Sequence, residues 1–156
     1  MGKGIALKKG LLASKNEKIL IFDGDFEIHP KEIRKLMILD KKKVRCVFGN
    51  RFSINTRKLV WDYGNLFFTK LFNFLNQSNL VDSLCCAKSF FKSDLDINKL
   101  KSHGFDIDIE IASALVKKYK SIKSINLNYN RRNKVEGKKL TTIDGFSILY
   151  RLVKSF

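Results

Sequence analysis

Cysteine, proline and acidic residues are scarce in this chain of 156 residues, which has three Cys, one Pro, and 15 Asp plus Glu against 31 Lys plus Arg. Cys46, Cys85 and Cys86 form no C-x-x-C pair and have no histidine near them at zinc-ligand spacing. An odd count with two cysteines adjacent in sequence builds no disulfide framework, so a zinc finger and a stapled secreted module are both excluded. Reduced thiols in a cytoplasmic protein are the expectation. The roughly 18 to 20 consecutive apolar residues that cross a bilayer are absent, as is the apolar core of a signal peptide. Met1-Gly2 would open a myristoylation motif, but Ala6 stands where that motif requires Ser or Thr. No repeat and no low-complexity linker interrupts the chain, and its length suits one core, so 1–156 reads as a single domain.

What the chain has in excess is positive charge, a formal net +16. Such a potential draws polyanions: nucleotide diphosphates, anionic lipid headgroups or nucleic acid. Lysine is scattered through nearly every segment, whereas a nucleic-acid binder concentrates its cations in a tail or stripe, so nucleic acid is the weakest of the three expectations.

Apolar periodicity then orders the chain. Gly2-Lys3-Gly4 followed by Ile5, Leu7, Leu11 and Leu12 predicts a glycine turn entering a helix over 2–14. Ile19-Leu20-Ile21-Phe22 is a buried strand that ends abruptly in Asp23-Gly24-Asp25. Pro30 opens a helix expected to run to about Asp40, and a strand at Val44–Phe48 follows. Strand, helix, strand with short links predicts parallel pairing in an α/β layer. A long aromatic helix over 59–76, a loop at 77–83, a strand at 85–91, a helix over 106–119 and a half-buried strand at 122–129 complete the body. The basic segment 130–140 has no periodicity and reads as a loop. The tail from Thr141 is an amphipathic helix, suited to packing on its own sheet or, less favoured, to lying on a membrane.

Asp23 and Asp25, one residue apart at the end of a buried strand, with Glu27 two further on, repel one another unless a divalent cation or hydrogen bonds compensate. Oxygen-only ligands of this kind suit Mg²⁺ or Mn²⁺. By itself the motif is a weak signal, and a solvated Asp-Gly turn is the more ordinary reading of the same residues.

The order of several segments decides between these readings by resemblance. Gly2-Lys3-Gly4-Ile5-Ala6-Leu7, Ile21-Phe22-Asp23-Gly24-Asp25-Phe26-Glu27 with Pro30, Phe48-Gly49-Asn50-Arg51-Phe52, Gly64-Asn65 with Leu71 and Asn73, Leu80-Val81-Asp82-Ser83, Gly104-Phe105 with Glu110-Ile111, and Glu136-Gly137-Lys138-Lys139-Leu140 occur in sequence. Together they resemble the family 2 glycosyltransferases of the A-type fold, in particular the polyprenol-phosphate mannosyl- and glucosyltransferase branch. The resemblance implies an α/β, Rossmann-like domain with a mixed sheet flanked by helices. It also implies that the strand, helix, strand unit holding the nucleoside base would precede Gly2, so that the chain reads as an N-terminally truncated domain.

What the resemblance implies for function is inverting, metal-dependent transfer of a hexose from a nucleotide-diphosphate sugar to a polyprenyl phosphate or a glycan. Asp23, Asp25 and Glu27 would hold the metal, and Asp23 with Arg51, Arg57, Arg131, Arg132, Lys134 and Lys138 would contact the donor phosphates, guanidinium groups being suited to bidentate phosphate binding. Asp82 is the candidate base, with a turn residue as its alternative, and Glu110 an orienting group. His29 and His103 read as ordinary polar residues. A cytoplasmic protein with peripheral contact to an anionic membrane is expected. The alternative is a remnant or half-enzyme that needs a partner at an exposed sheet edge, which would favour oligomers.

Overall fold

A computed structural model of the chain describes residues 2–52, 60–119, 122–131 and 142–154. Among them run α1 (Lys3–Ala13), β1 (Lys18–Ile21), α2 (Ile33–Leu36), β2 (Cys46–Asn50), α3 (Val60–Asn76), β3 (Lys88–Phe91), α4 (Ile107–Lys118), β4 (Lys123–Asn126) and α5 (Thr142–Lys154). The architecture is α/β, with a four-stranded mixed sheet in the order β1-β3-β2-β4.

The parallel pairing expected between the first two strands does not form. β3 lies between β1 and β2 and is antiparallel to both, while β4 pairs parallel with β2. Both Cys46–Asn50 and Lys88–Phe91 are buried along their whole length, so both are interior strands, and the local strand, helix, strand pattern does not order them. Strands covered on both faces belong at the centre, and only tertiary packing sets their order. β1, β2 and β4 thus share one direction, and their carboxyl ends open on the same edge of the sheet as the segment that leads into β3.

Period-two alternation sorts the strand side chains onto two faces. Ile19, Ile21, Cys46, Phe48 and Phe90 join Leu11, Phe72, Ile107, Ile111, Leu115, Ile148 and Leu152 in a core under α1, α3, α4 and α5. Val47 and Phe91 point the other way, into a smaller core with Ile28, Leu36, Leu39 and Leu127.

Three element boundaries differ from the sequence expectation. The helix opened by Pro30 is a 3₁₀ turn, Pro30–Glu32, followed by a single α-turn ending at Leu36. Beyond it the chain is held in another arrangement: Asp40 Oδ1 accepts the backbone N–H groups of Lys42 and Lys43 in an Asx turn, and Lys18 Nζ binds the Leu39 carbonyl. The following strand starts at Cys46 rather than Val44. β3 starts at Lys88 rather than Cys85, although the Gly49 N–H of β2 still donates to the Ala87 carbonyl at 2.8 Å. Finally, α5 packs on α3 and α4 and buries Ile148 and Leu152 in the same core as the strand residues Ile19, Ile21, Phe48 and Phe90.

Candidate functional site

Asp23 follows β1, Arg51 follows β2, Tyr129 follows β4 and Asp82 precedes β3, so the topology gathers them at one sheet edge. The N-termini of α1 and α4 reach the same edge. Gly2 and Gly4 make this approach feasible: a Cβ at Gly4 would stand 2.5 Å from the Ser102 carbonyl oxygen, and one at Gly2 would overlap the carbonyl of His103. With glycine there, the Gly4 N–H donates to the His103 carbonyl at 2.9 Å. The backbone-to-backbone contact sets Lys3 between two carboxylates.

Lys3 Nζ lies 2.9 Å from Asp23 Oδ2 and 2.8 Å from Asp108 Oδ2. Asp108 also faces Lys88 at 3.4 Å, and Lys88 donates to the Cys85 carbonyl and stands over the Phe48 ring. Two ammonium groups and two carboxylates make a charge-balanced quartet. Burial disfavours the Lys3 ammonium, but Asp108 and Asp23 outweigh it and raise its pKa above the ordinary lysine value. Burial pushes the Asp108 carboxyl up, and Lys88 and Lys3 more than reverse this, holding it below the usual carboxylate range.

The loop after Asp23 is tightly made. Asp25 Oδ1 accepts the Glu27 N–H at 3.1 Å, which closes a turn over Phe26, whose φ of 61° is left-handed. Glu27 Oε2 accepts the Tyr129 hydroxyl at 2.9 Å, and the Glu27 carbonyl accepts the Asn130 N–H at 2.7 Å. The D-x-D loop is therefore stitched to the segment leaving β4. Tyr129 in turn lies beneath two cations, with the Arg51 and Arg131 guanidinium carbons 5.6 and 5.8 Å from its ring centroid. Burial raises the phenol pKa of Tyr129; Arg51 opposes the shift and Glu27 adds to it.

Arg51 is held bidentately by Asp82, at 2.8 Å from Nε and 2.9 Å from Nη2, and its backbone N–H donates to the same carboxylate at 3.2 Å. The Asp82 side chain is wholly inaccessible to solvent. Asn50 supports the turn by accepting the Phe52 N–H and donating to Asn126.

The structure thus brings together Asp23, Asp25, Glu27, Arg51, Asp82 and Arg131 from the sequence-based set. Arg57, Arg132, Lys134 and Lys138 lie outside the described residues. Glu110 accepts the N–H groups of Lys101 and Ser102, each at 2.8 Å, and meets Arg151 of α5, so it orients a loop and a helix. His29 caps the 3₁₀ turn through the Lys31 N–H. Among the described residues no group of three or more His, Cys, Asp and Glu is clustered tightly enough to hold a metal ion by itself. Lys88, Asp108 and Tyr129 escaped the sequence reading. A lysine inside the apolar run Ala87-Lys88-Ser89-Phe90-Phe91, and an acid between Ile107 and Ile109, were the available signals, since charges at apolar positions imply partners.

Residues 1–97 match the model of glycosyl transferase family 2. No curated protein matches the chain by sequence. Among solved structures it is similar to glucosyl-3-phosphoglycerate synthase from Mycobacterium tuberculosis in complex with uridine diphosphate, at 16% identity and a TM-score of 0.71 over 99% of this chain and 55% of that one. The same enzyme in complex with Mn²⁺, UDP-glucose and glycerol 3-phosphate matches with a TM-score of 0.70 at 16% identity, over 99% of this chain and 55% of that one. A mycobacterial protein matches with a TM-score of 0.71 at 17% identity, over 99% and 51% of the two chains. The chain spans about half the length of these structures, and likeness at this identity establishes the fold.

Proposed function

Because the chain belongs to glycosyl transferase family 2, we propose that it serves the inverting transfer of a hexose from a nucleotide-diphosphate sugar to an acceptor oxygen. The observation that carries this reading is the convergence of the Asp23–Asp25 loop and the Arg51 guanidinium on one edge of the sheet. The oxygen donors Asp23 and Asp25 suit Mg²⁺ or Mn²⁺, ions that take one or two protein carboxylates and fill the remaining positions with phosphate and water. Two carboxylates one residue apart at a strand end would leave most of an ion's positions to phosphate and water. Glu27 accepts the Tyr129 hydroxyl and would act on an ion through the shape of the loop. When bound, the cation would neutralise charge developing on the departing nucleotide diphosphate.

The protein's own groups do the rest. Lys3 holds Asp23 and Asp108 together and would place a cation at the edge where a diphosphate binds. Arg51, with Arg131 and the basic residues Arg57, Arg132, Lys134 and Lys138, shares the phosphate charge. Asp82 aims Arg51; it serves as base only where Arg51 releases one of its oxygens. An acceptor that is itself a phosphate anion needs little deprotonation, which agrees with polyprenyl phosphate or another phosphate-bearing acceptor and leaves a glycan as the second class.

Calorimetric titration of UDP- and GDP-sugars with Mn²⁺ tests the reading. Metal-dependent binding by the wild type and its loss in Asp25→Ala are expected; a wild type that binds no nucleotide sugar sinks it. A second reading, a half-enzyme completed by strands from a partner, is favoured by β1, which pairs on one side only among the described residues although Ile19 and Ile21 are buried. It expects nucleotide binding only in an associated form.

A further inference from the structure

The loop that carries Asp23 and Asp25 does not rest in an easy conformation. Phe26 holds a left-handed φ of 61° and is 75% exposed, so its ring buries little surface to offset a backbone that a bulky residue rarely adopts. Such a turn persists only where its surroundings hold it. One tie lies within the loop, the Asp25 carboxylate on the Glu27 N–H. Others come from the segment leaving β4. Ile28 and Tyr129 form an antiparallel bridge, and the Glu27 carbonyl accepts the Asn130 N–H. Glu32 accepts the backbone and side-chain N–H groups of Asn128 at 3.1 and 3.3 Å.

Tyr129 adds a tie of another kind. Its hydroxyl, 2.9 Å from Glu27 Oε2, fixes by its side chain the residue that follows the left-handed turn. Its ring meanwhile faces the guanidinium groups of Arg51 and Arg131, and Arg51 is itself clamped by Asp82. One half-buried aromatic therefore touches both parts of the site, the carboxylate loop through its polar tip and the two guanidinium groups through its faces.

We infer that Tyr129 is a positioning residue, whose hydroxyl sets the carboxylate loop through Glu27 while its ring sets Arg51 and Arg131, so that one side chain fixes the spacing between metal site and cations. The inference rests on the transfer reading of this edge, and part of its test needs no ligand. In the free protein, Tyr129→Phe should speed hydrogen exchange of the Glu27 and Asn130 amides about tenfold, as expected for loss of a hydrogen bond to a charged group. The Gly4 amide, bonded to the His103 carbonyl, is the internal control and should not change. Tyr129→Phe should also raise the Mn²⁺ concentration for half-maximal UDP-sugar binding about tenfold, with saturating Mn²⁺ restoring the wild-type donor affinity. Tyr129→Leu, which loses the ring as well, should bind donor weakly even at saturating Mn²⁺. Glu27→Gln keeps an oxygen for the hydroxyl and should be milder than Tyr129→Phe. Unchanged exchange of the two amides, an unchanged Mn²⁺ requirement in Tyr129→Phe, or Glu27→Gln proving the more damaging variant, as for a carboxylate seated directly on the ion, would each overturn the inference. A wild type that binds no nucleotide sugar sinks the transfer reading, and the exchange measurement still decides whether Tyr129 holds the loop.

Discussion

Asp82 and Arg51 illustrate how partners decide what a residue can do. A carboxylate with no solvent access and both oxygens on one guanidinium is a support before it is a base, and removing it leaves a nearly buried cation unpaired. Asp82→Ala should destabilise the protein by about 3–5 kcal/mol in urea unfolding. Asp82→Asn keeps an acceptor and separates the roles: a raised KM for the donor marks a positioning residue, and a lost kcat at unchanged KM marks a base. Asp108 gives a pH prediction. Its folded pKa is depressed, so its contribution is fully present above the unfolded carboxylate value of about 3.9 and is lost as pH falls through the lower folded value. Asp94, paired with Arg45 and Lys118, and Glu32, paired with Lys35 and Asn128, are shifted the same way despite their burial. Melting temperature should therefore fall steeply between about pH 4 and pH 2, and Asp108→Asn should start lower at neutral pH and fall less. Burial pushes the Cys46 thiol up to about 12, consistent with a structural side chain.

At the scale of elements, the Gly2-Lys3-Gly4 entry to α1 is a docking device. Its glycines are small because the carbonyls of Ser102 and His103 occupy the space that side chains would fill. Gly4→Ala should therefore cost about 1–3 kcal/mol although alanine is the better helix former, because backbone cannot yield as a side-chain tip can. Gly10, in the same helix, has nothing within 4 Å of the position a Cβ would take and is the matched control. Gly10→Ala should stabilise by about 0.5–1 kcal/mol in the same denaturation assay. Gly4→Ala should also weaken donor binding, since the displaced helix carries Lys3 away from Asp23.

Across the whole molecule, 31 cationic against 15 acidic residues make long-range attraction the natural role of the surplus charge. Association with a nucleotide-diphosphate sugar should slow as salt rises, the Debye length shrinking from about 30 Å at 0.01 M to about 8 Å at 0.15 M. Stopped-flow measurement across that range checks it; rates indifferent to salt would leave the charge without this role. No described helix is long and apolar enough to cross a membrane.

Local chemistry made much of this protein legible from its sequence. The helices α1, α3, α4 and α5 follow from apolar periodicity, β1 from an uninterrupted apolar run, and the Asp23–Asp25 loop from polar residues delivered at that strand's end, because each signal lies within a few consecutive residues. The tertiary structure alone decided that β3 separates β1 from β2, since β2 and β3 are equally buried runs and only long-range pairing orders them. It alone decided that Lys3 bridges Asp23 and Asp108, which lie 20 and 105 residues from it along the chain. It likewise revealed that Asp82 is committed to Arg51. Ion pairs between distant segments leave no periodic trace in a sequence, and only the burial that folding imposes makes such a partner necessary.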